Sequence, residues 1–228
     1  MRHVSHTGIQ QKQRFCAHFL QIRQNSRVSL IIREITRADI PGVVALQREC
    51  FPEPFPEDLL WADVHIASHI DQFPAGQFLA EINNSILASC TNMLISAQVW
   101  QAHHDWQTTT GGLSLPNHDP QGDVMYGIDI SVHPNFRGQG IARLLYMKRL
   151  QYCRDQNVQY GTVCRLPGFI QSSFDDPLQY AIAVGEEKET DPTLTPLLKL
   201  GGIFQGIIPN YMEDQESGNA GAILKWQV

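Results

Sequence analysis

VHPNFRGQGIARLL, residues 132–145, carries an apolar strand end into a Pro-Asn turn, then Arg-Gly-Gln-Gly, then a helix. The first turn of a helix leaves backbone N–H groups without intrahelical partners, and the aligned peptide dipoles add partial positive charge there. Together these effects make a seat for phosphate oxygens. Backbone approaches a diphosphate closely only where side chains are missing, and Gly138 and Gly140 remove them. Arg137 adds a formal charge at the edge of the same loop. A plain strand-to-helix turn would also tolerate the two glycines. A Walker loop would need Gly-Lys-Ser/Thr where this chain has Gly-Gln-Gly-Ile. A dinucleotide fingerprint would need a third glycine where Arg143 stands, and would follow the first strand rather than the fourth.

Outward from this loop, VMYGIDISV (124–132) reads as the strand that feeds it. IARLLYMKRLQYCRDQ (141–156) continues the helix, with Ile141, Leu144, Leu145 and Met147 toward a core. Upstream, SLIIREI (29–35) is a β-branched strand. Thr36 and Asp39 then open a helix with Ile40, Val43, Val44 and Leu46 at helical spacing. The prolines of FPEPFPE break it, and a second amphipathic helix is predicted from Pro56 to Ile70. Asn83-Asn84 joins GQFLAEI to ILASCTNMLIS as a hairpin. Residues 97–122 form a long polar connection. Downstream lie a strand at 158–164, an acid-rich irregular stretch with a short helix at 165–191, a short helix in PTLTPLLKLGG, and two closing strands, IFQGIIP and AGAILKWQV. This order predicts an α/β (α+β) fold with one mixed central sheet of about seven strands flanked by helices.

At 228 residues, 43% hydrophobic and 18% charged, the chain suits a single domain over 29–228 with insertions at 97–122 and 165–191. Its core is large enough to need neither disulfides nor a structural metal, and no metal is expected. No stretch approaches the roughly 20 apolar residues of a membrane span. The five cysteines are scattered without a Cys-x-x-Cys pair, as in a reduced, cytoplasmic protein. The net charge is −6, yet residues 1–27 hold Arg2, Lys12, Arg14, Arg23 and Arg27 and no acid. The body is therefore more acidic than the total, so neither nucleic acid nor a membrane is an expected partner. Residues 1–28 read as a basic, disordered or loosely docked extension without the features of a secretory signal.

Arg137-x-x-Gly140-x-Ala142, preceded by ISVHPNF, resembles the Arg/Gln-x-x-Gly-x-Gly/Ala motif of the GCN5-related N-acetyltransferases, the GNAT superfamily. The element order from residue 29 onward is similar to that family's. The pieces RLPGF, DPTLTPLLKLGG, GIIPNY and ILKW also resemble a subgroup found beside, or fused to, carbon–nitrogen hydrolases.

The resemblance implies a GNAT-like sheet splayed between its fourth and fifth strands, with acetyl-CoA (CoA) as the cofactor. It implies pantetheine pairing along Ile130, Ser131 and Val132, and a pyrophosphate held by Arg137, Gly138, Gln139, Gly140, Ile141 and Ala142. The implied activity is direct transfer of an acetyl group to a primary amine of a small molecule. The sequence departs from the family where LLKLGGI puts Leu198 in the place of a frequent tyrosine and Ile203 in that of a phenylalanine. The general acid is then unassigned; Tyr211 and Tyr126 are candidates, the alternative for each being a half-buried tyrosine with its hydroxyl at the surface. Asp129 is the candidate base, since an acid inside YGIDISV is not needed for packing; a hydrogen bond steadying a bulge is the alternative. Glu81 is a further candidate, unless strand alternation turns it to solvent. His103, His104 and His118 with Asp119 lack diagnostic ligand spacing. Asp175, Asp176, Glu186, Glu187, Glu189 and Asp191, against Lys188 alone, form either a solvated surface or a lid that draws a polyamine or amino sugar. Leu198 also leaves open an acyl-CoA-binding sensor or accessory module, and nucleotide binding at the same loop is a third reading. The expected partner is the small-molecule amine, with a homodimer as an open assembly state.

Overall fold

The computed structural model describes residues 29–53 and 55–228. The expected extension at 1–28 lies outside the described residues. In chain order the elements are β1 (Ile31–Glu34), α1 (Ile40–Cys50), α2 (Asp63–Gln72), β2 (Phe78–Ile82), β3 (Ser85–Ile95), α3 (Ala97–Ala102), α4 (Trp106–Thr110), β4 (Val124–Val132), α5 (Ile141–Gln156), β5 (Gln159–Cys164), α6 (Pro177–Gly185), α7 (Leu194–Lys199), β6 (Ile203–Ile208) and β7 (Gly221–Trp226). The seven strands form one sheet in the order β1-β2-β3-β4-β5-β7-β6, and only β4 and β5 run parallel.

The β2–β3 turn is the expected two-residue type, with Asn83 at φ 51° and Asn84 at φ 62°. Both values suit asparagine and match the strand twist. Two expectations shift. The helix predicted from Pro56 starts at Asp63, because Pro56 opens only a 3-10 turn and Leu60 is extended. Buried Trp61 is anchored there by its amide, which donates to Gln47 Oε1 at 2.8 Å. The long connection contains α3 and α4, whose first turns are capped by the side chains of Ser96 and Asp105.

Helices cover both faces of the sheet. Phe78 and Ala80 of β2 and Cys90 of β3 pack with Ile141 and Leu145 of α5. The same face continues through Met125, Tyr160 and Trp226 to α6 and α7. Leu79 points the other way, against Ile40 and Val43 of α1 and Ile66 of α2. Trp100 of α3, with Trp106 of α4 packed alongside, extends this second face over Tyr126, Val163 and Ile223.

Two irregularities in β4 create the site. At Thr91/Asn92 the register with β3 slips, so Thr91 faces Asp129 while Asn92 faces Gly127, and Ile128 is the extra residue. Such a bulge bends its strand and leaves a residue unpaired. It also resets the alternation. Tyr126 and Ile128 belong to the α1–α4 face, whereas Ile130 and Val132 pack under α5. Then β4 parts from β5, for their pairing stops at Gly127 with Thr162. The Thr162 hydroxyl donates to the Gly127 carbonyl at 2.7 Å where the strands diverge.

Candidate active site

The gap between β4 and β5 is a cleft of about 600 Å³ that passes through the sheet. Gly127 to Ile130 line one wall and Thr162 to Arg165 the other. From one face Tyr146 and Arg149 of α5 and Thr193 and Leu197 reach in. From the other come Phe51, Phe55 and Leu59 to Trp61, α4 and the β6–β7 connection.

Arg149 is only 1% exposed, yet it occupies the apolar stripe of α5 between Leu145 and Cys153. Its guanidinium donates to the carbonyls of Thr91, at 3.2 Å, and Asp129, and to the Tyr160 hydroxyl at 3.1 Å. Those two carbonyls sit where the bulge disrupts the ladder. Among the described residues its Nε has no partner and no carboxylate lies within ion-pair distance. Its guanidinium lies 4.9 Å from the Tyr146 ring centroid. The sequence reading missed this residue, although a charged side chain four residues from buried neighbours on both sides was a visible signal.

Asp129 lines the cleft half-buried, and Ser131 donates to its carboxylate at 2.9 Å. Burial pushes its pKa up to about 6, with the Ser131 bond and the nearby Arg149 charge opposing. At neutral pH it is mostly ionised and can accept a proton. Burial first, then the neighbouring Asp129 charge, pushes the Cys50 thiol up to about 11.

Tyr126 and Tyr211 meet hydroxyl to hydroxyl at 2.6 Å, both buried. Tyr211 lines the cleft, and Tyr126 stands behind it. Burial raises the pKa of each phenol, so both keep their protons. Tyr211 is placed by its own amide, which donates to Asn219 O, and by its carbonyl, which accepts from Trp106 N.

Beyond the cleft, β4 ends in the loop that the sequence singled out. Gly138 and Gly140 have φ of 75° and 82°, and a Cβ on either would meet nothing within 4 Å. Gly140 is the N-cap of α5, and no side chain caps that helix. Ile141 anchors the start of α5 in the core. From Asp129 to Val132, β4 pairs with β3 alone, leaving its β5-facing edge free of strand pairing among the described residues. These features fit an extended ligand carrying phosphates. Arg137 is exposed and donates to Val132 O at 3.0 Å and Cys50 O at 3.2 Å, fastening the loop to the strand end and α1. Gln139 bonds back to Asn135 O at 3.3 Å. Ala142 is half-buried in the first turn of α5.

Other expected residues lie apart from the cleft. Glu81 is buried and held by Arg33, which also grips Asp39. His118 accepts from Leu94 N and stacks on Phe73, while His103 ends α3 against Trp100. No residue of the acid-rich 174–191 stretch lines the cleft, which overturns the acidic lid. Asp191 is buried, accepting from the amides of Gly168, Thr193 and Leu194 and from the Tyr180 hydroxyl. Leu198 packs against the core, and the cleft takes its neighbour Leu197 instead. The four described cysteines are buried and free, as expected.

Residues 40–167 match the family model described as Acetyltransferase (GNAT) family. The "Uncharacterized N-acetyltransferase YkwB" of Bacillus subtilis is 36% identical over 87% of this chain and 89% of its own length. The "Probable hydrolase YhcX" of the same organism is 32% identical over 86% of this chain, which spans only 38% of that longer protein. The hydrolase-associated subgroup thus finds a loose counterpart. Among solved structures, the loading GNATL domain of CurA from Lyngbya majuscula superposes with TM-score 0.73 at 22% identity, covering 87% of this chain and 97% of its own. The GphF GNAT-like decarboxylase in complex with isobutyryl-CoA gives 0.69 at 21%, covering 86% and 98%. These two show a shared fold.

Proposed function

The chain belongs to the GNAT acetyltransferase family, an acyl-CoA-dependent enzyme class, and from that premise we propose that it moves an acetyl group from acetyl-CoA to a primary amine of a small molecule by direct attack. The observation that carries this reading is a through-sheet cleft with an ionisable carboxylate inside it and an open, glycine-built helix N-terminus beside it.

The coenzyme, when bound, supplies the activated thioester. The amides of Gly138 to Ala142 would hold its diphosphate, and the free edge of Ile130–Val132 would receive its arm. Because α5 covers one face of the sheet, the amine enters from the other. The bulge presents Asp129 toward that second face, where it accepts the proton that the attacking amine sheds. Tyr211 offers its proton to the departing sulfur, and Tyr126 keeps the Tyr211 hydroxyl oriented. The buried Arg149 charge favours the negative charge that develops on the acyl oxygen. All four described thiols are pushed up by burial, so none is a ready thiolate for a covalent acyl-enzyme, which supports the direct route.

The test is free-thiol release from acetyl-CoA across a panel of small amines. Amine-dependent release is expected; tight coenzyme binding with no release on any amine would make the chain a sensor.

A further inference from the structure

The acceptor mouth of the cleft and the commitments of its polar side chains carry a more specific reading, which rests on the transferase assignment. On the α1–α4 face the mouth is built from Phe51, Phe55, Trp61, Trp106 and Met212. Gln47, Asp105 and Arg165 are engaged with the protein itself, while Gln107 and Asn210 lie at the exposed edge. The Asp105 carboxylate caps α4, accepting from Thr108 N and Oγ1 at 2.8 Å each. Gln47 Oε1 accepts the Trp61 amide. Arg165 is locked between Asp214, at 2.6 Å, and Glu216, at 2.8 Å, and its guanidinium lies 5.8 Å from the Phe55 ring centroid. An acidic lid is missing from the mouth, and Glu213 is the carboxylate left at its exposed rim.

We propose that the acceptor is a monoamine on an apolar, ring-sized or branched body. Its carbon skeleton lies among Phe51, Phe55, Trp61, Trp106 and Met212, and its single amino group reaches Asp129 at the split. Burying apolar surface against these rings supplies the binding free energy. A second ammonium among the rings would find no free carboxylate beside it, since Asp105 caps α4, Asp214 and Glu216 pair with Arg165, and Glu213 lies out at the exposed rim. A polyhydroxylated amino sugar would find few uncommitted partners there. The transfer balances as an amide N–C bond formed and a thioester C–S bond broken, with the amine proton passing to Asp129 and a proton returning to the sulfur.

The experiment compares hexylamine and benzylamine with spermidine and glucosamine on the full chain. It follows thiol release from acetyl-CoA and, by calorimetry, binding of each amine to the CoA-loaded protein. The apolar monoamines are expected to exceed the polar amines by at least about 10-fold in kcat/KM. Trp106→Ala and Phe55→Ala are each expected to raise the KM for benzylamine about 10-fold while leaving the KM for acetyl-CoA unchanged, which also shows that the variants fold. Faster turnover or tighter binding of spermidine or glucosamine would overturn the acceptor assignment and leave the transferase intact. So would variants that keep the wild-type preference. Where turnover is too slow to rank the amines, tighter calorimetric binding of benzylamine than of spermidine supports the proposal, and the reverse order defeats it. Failure to bind acetyl-CoA would remove the transferase reading and this inference together.

Discussion

Arg149 on α5 donates to the main-chain carbonyl of Asp129 on β4, so the buried cation holds the backbone whose side chain is the candidate base. Two effects oppose each other at this residue. Burying a guanidinium without a carboxylate partner costs several kcal/mol. Its charged hydrogen bonds, each worth about 1.5–3 kcal/mol, offset that cost and satisfy carbonyls at the bulge. Arg149→Met should therefore change the unfolding free energy by no more than about 2 kcal/mol while lowering kcat by about 10–100-fold. It should also move the ascending limb of the pH–rate profile upward, because the Arg149 charge now holds the Asp129 pKa down. A variant with normal kcat and an unmoved limb would remove Arg149 from the mechanism.

As the proposed base, Asp129 should set that limb. In the wild type, kcat/KM should rise through about pH 6 and then level. Asp129→Asn should lose about 100-fold or more in kcat on the plateau above about pH 7, and less below about pH 6, where the wild-type carboxyl is itself protonated. Stability moves the opposite way. A carboxyl whose pKa is raised on folding binds its proton more tightly in the native state, so stability falls as pH rises from about 4 through 6. Asp129→Asn removes that loss. Thermal melts should show the variant more stable by about 1–2 kcal/mol at pH 8, after allowance for solvent screening, and no more stable at pH 4.

The tyrosine pair makes an ordered prediction. Tyr211→Phe should lower kcat about 10–100-fold, with the KM for acetyl-CoA little changed. Tyr126→Phe should do less, since its hydroxyl stands behind the cleft, and should cost about 1–3 kcal/mol of stability by leaving a buried hydroxyl unpaired. A larger rate loss in Tyr126→Phe than in Tyr211→Phe would reverse the assignment.

Gly140→Leu tests the diphosphate seat. The left-handed backbone, φ 82°, charges a side chain about 1–2 kcal/mol, and the added bulk projects into the open space above the first turn of α5. With the circular dichroism spectrum retained, acetyl-CoA should no longer raise Tm, and its KM should increase at least about 10-fold. Unchanged coenzyme affinity in a folded variant would refute the seat.

Gly127 tests the split itself. A Cβ there would lie 2.4 Å from the Tyr160 hydroxyl oxygen and 3.3 Å from Thr162 Cβ. Gly127→Ala should destabilise by about 1–3 kcal/mol, and adding Tyr160→Phe should recover part of the loss by removing the nearer atom. Additive losses in denaturant titrations would show that the two sites do not touch.

Local chemistry was enough for much of this molecule. Periodicity and turn residues marked all seven strands, the Asn83-Asn84 hairpin and the glycine loop before α5, because strand alternation, left-handed asparagines and glycines at a helix start act over a few residues. Asp129 could be singled out for the same reason, as an acid inside an apolar strand, and the structure places it and Tyr211 in the lining of one cleft. What sequence could not give was direction and pairing. Reading alternation across Ile128 without the bulge assigns Asp129 to the wrong face, and only pairing with β3 reveals the slipped register. The sequence named Tyr126 and Tyr211 separately, but 85 intervening residues had to fold before their hydroxyls met. Arg149 was not singled out from the sequence, and it is the packing of α5 on the sheet that buries it. The 174–191 acids ended away from the cleft, because where a charged surface points is settled by how helices pack, a long-range balance that no short window of residues contains.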